Sequence, residues 1–161
     1  MNTETAIFAS GCFWGTEYYF RKAEGVISTA VGYIGGSTEN PSYEEVCSGL
    51  TGHAEATEIT YDPAKTSYEN LVKLFYETHD PGQMDGQGPD IGSQYRSGIF
   101  YLNDKQKEIA KRVTEQLKAK GYPVVTELTK AGPFYKAENY HQNYYGNGGG
   151  TPYCHSYEKK F

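Results

Sequence analysis

No apolar run in this sequence approaches the roughly 20 residues that span a bilayer, and the opening Met1-Asn2-Thr3-Glu4 has no basic n-region of a secretory leader. Cysteine is scarce, with three widely spaced residues. An odd, dispersed set does not make a disulfide framework and points to a reducing compartment, so a cytoplasmic location is expected. There is no Cys-x-x-Cys pair, and His53, His79, His141 and His155 show no metal spacing, so no metal is expected; a zinc site from Cys12, Cys47, Cys154 and a His has no support in the spacing. Basic residues number 15 against 20 acidic ones, a net charge of −5, with no basic block. Nucleic acid is therefore not an expected partner. Internal repeats and Pro-, Gly- or Ser-rich linkers are also lacking, which makes residues 1–161 a single expected domain, taken as a monomer.

What is plentiful is tyrosine (16) and glycine (19), mostly in segments that also hold Cys or His. Such tyrosines suit a pocket that is apolar in its body and polar at its tips. The periodicity predicts a strand over Thr5–Ala9, a Ser10-Gly11 turn, and a helix from about Cys12 to Ala23 that stops at Gly25. A strand over Val26–Tyr33 ends at Gly35-Gly36, and an irregular stretch to Gly52 holds one helical turn around Tyr43–Cys47. His53–Tyr61 alternates as a strand. Thr66-x-x-Glu69 reads as a capping box for a helix facing inward with Leu71, Leu74, Phe75 and Thr78. After a long loop, Gly82–Ser97, come a strand Gly98–Leu102, a helix Asp104–Lys120, a strand Val124–Leu128, a short helix Glu138–Tyr145 and an irregular Gly-rich tail, 146–161. This order, βαββαβ with an appended αβα, predicts an α+β two-layer sandwich. Its core is a ferredoxin-like plait with a mixed, mostly antiparallel sheet.

Cys12 stands between a strand and a helix, where first-turn N–H groups and the helix dipole favour a thiolate. Glycines on either side allow a turn and a close approach, and Phe13 and Trp14 supply aromatic walls. A buried structural cysteine is the competing reading. Glu55 shares strand parity with Thr57, Ile59 and Tyr61, opposite Ala54, Ala56 and Glu58. If the Ile59 face is the buried one, Glu55 is a carboxyl in apolar surroundings that can hold a proton near neutrality. Two alanines equally suit a close-packed face, so parity leaves the choice open.

Tyr43 in the first loop, and Asp90 and Tyr95 in the second, are candidate binding or hydrogen-bonding residues. Cys47 reads as a small buried hydrophobe. Cys154 follows Gly146-Asn147-Gly148-Gly149-Gly150-Thr151-Pro152, a segment that cannot pack a core of its own. A movable thiol of this kind can condense with a sulfenic acid to a disulfide; an accidental cysteine near a chain end is the alternative.

Gly11-Cys12-Phe13-Trp14-Gly15 resembles the signature of the peptide methionine sulfoxide reductase A family. The likeness extends through Gly32-Tyr33-x-Gly35-Gly36, Asn40-Pro41-x-Tyr43, Thr51-Gly52-His53-Ala54-Glu55-Ala56, Gln94-Tyr95-Arg96-Ser97 and Ala137-Glu138-x-Tyr140-His141-Gln142. The resemblance implies reduction of the S epimer of methionine sulfoxide, free or in proteins, without metal or organic cofactor. By family role, Cys12 attacks the sulfoxide sulfur, and Glu55 with the hydroxyls of Tyr43 and Tyr95 protonates the oxygen. Phe13 and Trp14 receive the S-methyl group, and Asp90 matches a substrate-binding position. Cys154 then forms a disulfide with Cys12, and thioredoxin restores both thiols. The chemistry asks for this set: a sulfoxide oxygen leaves poorly unless protonated, so thiolate, acid and aromatic wall are needed together. A thiol peroxidase, or a binding module for methionine-containing peptides, is the alternative reading of the same residues.

Overall fold

The computed structural model describes residues 3–11, 13–36, 39–48, 51–79, 81–82, 86–87, 90–91, 93–138, 142 and 160, with backbone alone at 47, 86–87, 90–91 and 93. Strand β1 (Glu4–Ser10) leads into helix α1 (Phe13–Arg21), then β2 (Val26–Ile34), the short α2 (Tyr43–Cys47) and β3 (Ala54–Tyr61). Helix α3 (Tyr68–Glu77) is followed by a small ribbon, β4 (Gly86–Gln87) and β5 (Asp90–Ile91), and a 3-10 turn at Ser93–Tyr95. Strand β6 (Ser97–Tyr101), helix α4 (Asp104–Ala119), β7 (Glu127–Lys130) and β8 (Tyr135–Lys136) complete the described elements.

The six-stranded sheet has the order β7-β6-β1-β3-β2-β8. Its four central strands, β6-β1-β3-β2, pair antiparallel throughout. With α1 between β1 and β2, and α3 between β3 and β6, this is the expected ferredoxin-like plait. Edge strand β8 adds antiparallel to β2, and β7 adds parallel to β6, which makes the sheet mixed.

Both faces of the sheet are covered, and this resolves the parity of β3. On one face Phe8, Ile59 and Tyr61 pack under α3 and α4 with Phe20, Leu71, Phe75, Val113 and Leu117. Burial pushes up the phenols of Tyr61, Tyr68 and Tyr76 on this side, so these tyrosines are neutral core residues. On the other face Ile7, Ala9, Ile34, Ala54, Ala56 and Phe100 form a thinner layer covered by Ala131 and Phe134. This covering segment approaches Gly32 closely: a Cβ there would lie 2.3 Å from the Tyr135 carbonyl oxygen. The alanines and Glu55 are thus all buried, on opposite faces.

Several sequence expectations need correction. The cap of α3 is Ser67, not Thr66: the Ser67 Oγ accepts from the Asn70 N–H, while the Thr66 N–H is used in the preceding turn, donating to the Asp62 carbonyl. The capping box lies on α2 instead, between Ser42 and Glu45. The strand expected over Val124–Leu128 begins at Glu127. Val124 packs against the core, and the Val125 N–H bonds to the Pro81 carbonyl rather than to a strand. The loop after Gly82 contains the β4–β5 ribbon and the 3-10 turn. Of the helix expected over Glu138–Tyr145 only Glu138 and Gln142 are described, and neither is helical; its other residues lie outside the described ones, as does the Gly-rich tail up to 159. Lys160 is buried, its ammonium donating to the Tyr76 and His79 carbonyls at 2.5 and 3.0 Å.

Candidate active site

The site gathers where β1 gives way to α1. Gly11 turns the chain with a φ of 93°, a backbone region in which L side chains are strained. Phe13 is the first residue of α1, and its N–H is among those that a helix leaves without an internal acceptor. The Glu55 Oε1 takes it at 3.2 Å. Glu55 is 1 % exposed, so a carboxyl withdrawn from water sits against the backbone one peptide bond from Cys12. In the adjoining turn, Ser10 and Thr16 share a buried hydroxyl contact of 2.6 Å.

Around Phe13 lies a third apolar cluster of Val31, Tyr33, Val46 and Ala137, flanked by the partly buried Trp14 and Tyr43. The Tyr33 ring stands 5.7 Å from that of Phe13, and the Tyr43 ring stacks on it at 6.5 Å with a 23° tilt. Tyr33 is also the cross-strand partner of Glu55. Phe13 is closed off from solvent while Trp14 keeps part of its surface open, so Phe13 backs the site and Trp14 can present a face to a ligand.

The C-terminal segment closes one side. Gln142 grips the outer edge of β2, its Oε1 accepting from the Val31 N–H at 2.8 Å and its Nε2 donating to the Val31 carbonyl at 2.9 Å. Glu138 accepts from the Tyr33 hydroxyl at 3.0 Å and from the Tyr43 N–H at 3.1 Å. On the opposite side the 3-10 turn bearing Tyr95 packs against β3. Arg96 next to it donates to the Gly52 carbonyl at 3.0 Å, joining two of the sequence motifs. His53 accepts the Gly36 N–H at Nδ1, 3.1 Å away, which makes this histidine a buried structural residue.

Of the residues singled out from sequence, the structure brings Phe13, Trp14, Tyr43 and Glu55 together and sets the turn of Tyr95 against the strand of Glu55. Cys12 and Cys154 lie outside the described residues, and Asp90 is described by its backbone in β5 alone. Among the described residues no three of His, Cys, Asp and Glu gather as a metal would require, and no helix is long and apolar enough to cross a membrane. Sequence reasoning gave no role to Tyr33, Glu138 and Gln142. Their signal was the run Ala137-Glu138-x-Tyr140-His141-Gln142, but a local helix pattern hid the long-range contacts.

Comparison with known proteins identifies relatives of the sequence and of the fold. The family model described as peptide methionine sulfoxide reductase matches residues 4–161. A peptide methionine sulfoxide reductase MsrA of Azorhizobium caulinodans is 55 % identical over 155 residues, 93 % of this chain and 71 % of the relative. Mxr1 of Saccharomyces cerevisiae in reduced form superposes with a TM-score of 0.91 at 32 % identity, covering 99 % of this chain and 93 % of that one. A further Mxr1 structure, in complex with Trx2, shares the fold at a TM-score of 0.68 and 24 % identity over 97 % and 90 % of the two chains. With its motifs and its plait in agreement, the chain belongs to the peptide methionine sulfoxide reductase family, thiol oxidoreductases that reduce methionine sulfoxide to methionine.

Proposed function

We propose that this chain reduces the S epimer of methionine sulfoxide, free and in proteins, with Cys12 as nucleophile and Glu55 as proton donor. The observation that carries the reading is the buried Glu55 carboxyl on the Phe13 N–H, beside Cys12 in the chain. Exclusion of water favours a protonated carboxyl, whereas the N–H from Phe13 favours the carboxylate. The positive end of α1 favours the thiolate. Glu55, assisted by the hydroxyls of Tyr43 and Tyr95, delivers its proton to the sulfoxide oxygen as Cys12 attacks the sulfur, and Trp14, backed by Phe13, holds the methylthio group. Asp90 contributes to substrate binding.

The electrons balance in two steps. Methionine sulfoxide gains two electrons and leaves as methionine, while Cys12 loses two and becomes a sulfenic acid. Cys154 then attacks the sulfenic sulfur, water leaves, and the Cys12–Cys154 disulfide passes its oxidation to the dithiol of thioredoxin. No metal or organic cofactor takes part. On this reading residues 1–161 work as one monomeric, cytoplasmic domain, with 146–161 bringing Cys154 to Cys12.

The test is to incubate the reduced chain with each sulfoxide epimer and with hydrogen peroxide, without reductant, and to map the disulfide formed. The S epimer is expected to yield methionine with loss of the Cys12 and Cys154 thiols, the R epimer nothing. Faster thiol loss with peroxide would favour a peroxidase, and unchanged thiols under all conditions would indicate a binding module.

A further inference from the structure

Glu138 is tied to two other parts of the site at once. Its Oε1 accepts from the Tyr33 hydroxyl and its Oε2 from the Tyr43 backbone N–H. Tyr43 opens α2, where the capping box commits the Ser42 side chain to the Glu45 N–H and the Glu45 side chain to the Ser42 N–H. The Tyr43 donor, another first-turn group with no internal acceptor, goes to Glu138. A five-residue helix cannot hold its own place, so outside contacts set where it sits. Glu138 is well placed to supply one. Its neighbour Ala137 donates to the Val31 carbonyl at 2.9 Å, and Gln142 pairs with both Val31 backbone groups and with the Ala137 carbonyl. The carboxylate therefore hangs from the edge of β2 and bridges it to α2. Tyr33 at one end stands opposite Glu55, and Tyr43 at the other stacks on Phe13, whose N–H holds Glu55.

We propose that Glu138 is a positioning residue that fixes α2, and with it the Tyr43 hydroxyl, relative to Glu55. The inference rests on the reading of Tyr43 as a helper in proton delivery. What Glu138 supplies is reach to two partners. A glutamine can keep both bonds, its oxygen accepting from the Tyr43 N–H and its amide donating to the Tyr33 oxygen. An aspartate keeps the charge but is shorter by one carbon–carbon bond, about 1.5 Å, and cannot span both partners.

Single-turnover methionine formation from the S epimer tests this, measured in a Tyr95→Phe background so that Tyr95 cannot stand in for Tyr43. Glu138→Gln is expected to stay within about twofold of its parent, whereas Glu138→Asp and the equally short, uncharged Glu138→Asn fall about tenfold or more. The loss is expected in the rate constant rather than in substrate affinity. It should vanish when Tyr43→Phe is already present, because the two changes act on one group. A full rate in both short variants, a Gln variant as slow as they are, or losses that add to that of Tyr43→Phe would each overturn the proposal. If only one short variant folds, that one decides. A Tyr43→Phe change without effect in this background would instead sink the donor reading, and the inference with it.

Discussion

At the scale of single residues, the site depends on a few side chains that hold backbone groups. Glu55 takes the first N–H of α1, and Glu138 takes that of α2. The proposed cycle divides cysteine chemistry between Cys12 and Cys154. Cys154→Ser is expected to form one methionine per enzyme at an unchanged rate and then stall, with thioredoxin-driven turnover reduced at least about a hundredfold; sustained turnover would remove Cys154 from the cycle. That Phe13, Trp14, Tyr43 and Glu55 gather was legible in the motifs they stand in. The burial of Glu55 was not. Parity distinguishes faces only when one of them meets water, and here Ala54 and Ala56 lie under Phe134 while Glu55 lies under the start of α1. Glu138 was hidden for a different reason: its partners are 105 and 95 residues away in the chain.

Elements were read most surely where a period and a stop coincide. Helix α4 follows its apolar stripe, with Ala110, Val113 and Leu117 buried, and β2 and β3 lie where strands were expected. Boundaries moved where two capping residues stand together. Thr66 and Ser67 are both good N-caps; here the Thr66 N–H closes the turn from Asp62 and the Ser67 Oγ takes the Asn70 N–H. Ser67→Ala is accordingly expected to cost about 1 kcal/mol of stability in urea melts, and Thr66→Ala less than about half of that. Equal costs would return the cap to Thr66. Strand β8 escaped notice because two residues carry no period; its place is set by the antiparallel pairing of Tyr33 with Tyr135 and by the absence of a side chain at Gly32.

Across the whole molecule, the order β6-β1-β3-β2 places the end of β1 and the start of β3 side by side, which is what brings residues 13 and 55 together. The plait followed from element order, since a βαββαβ chain with both helices on one face has few compact solutions. The far end of the chain is also fastened. The Lys160 ammonium satisfies two carbonyls at the C-terminal end of α3, where a cation also meets the negative end of the helix, and its N–H donates to Glu77 at 3.0 Å. Gln142 and Lys160, which bracket Cys154 in the sequence, are both bonded to the domain. Lys160→Met, which keeps the stem and removes the ammonium, is expected to destabilise the fold by about 1–3 kcal/mol; an unchanged denaturation midpoint would show that the contact contributes nothing in solution.

The account turns on Glu55 as the source of the proton. A glutamine there can still accept the Phe13 N–H, so the fold and substrate binding should persist while the transferable proton is lost. Rapid-quench measurement of the first methionine formed from the S epimer by Glu55→Gln is therefore the most direct test. A rate lowered by about a hundredfold or more with near-native substrate affinity is the expected result; a near-native rate would contradict the account.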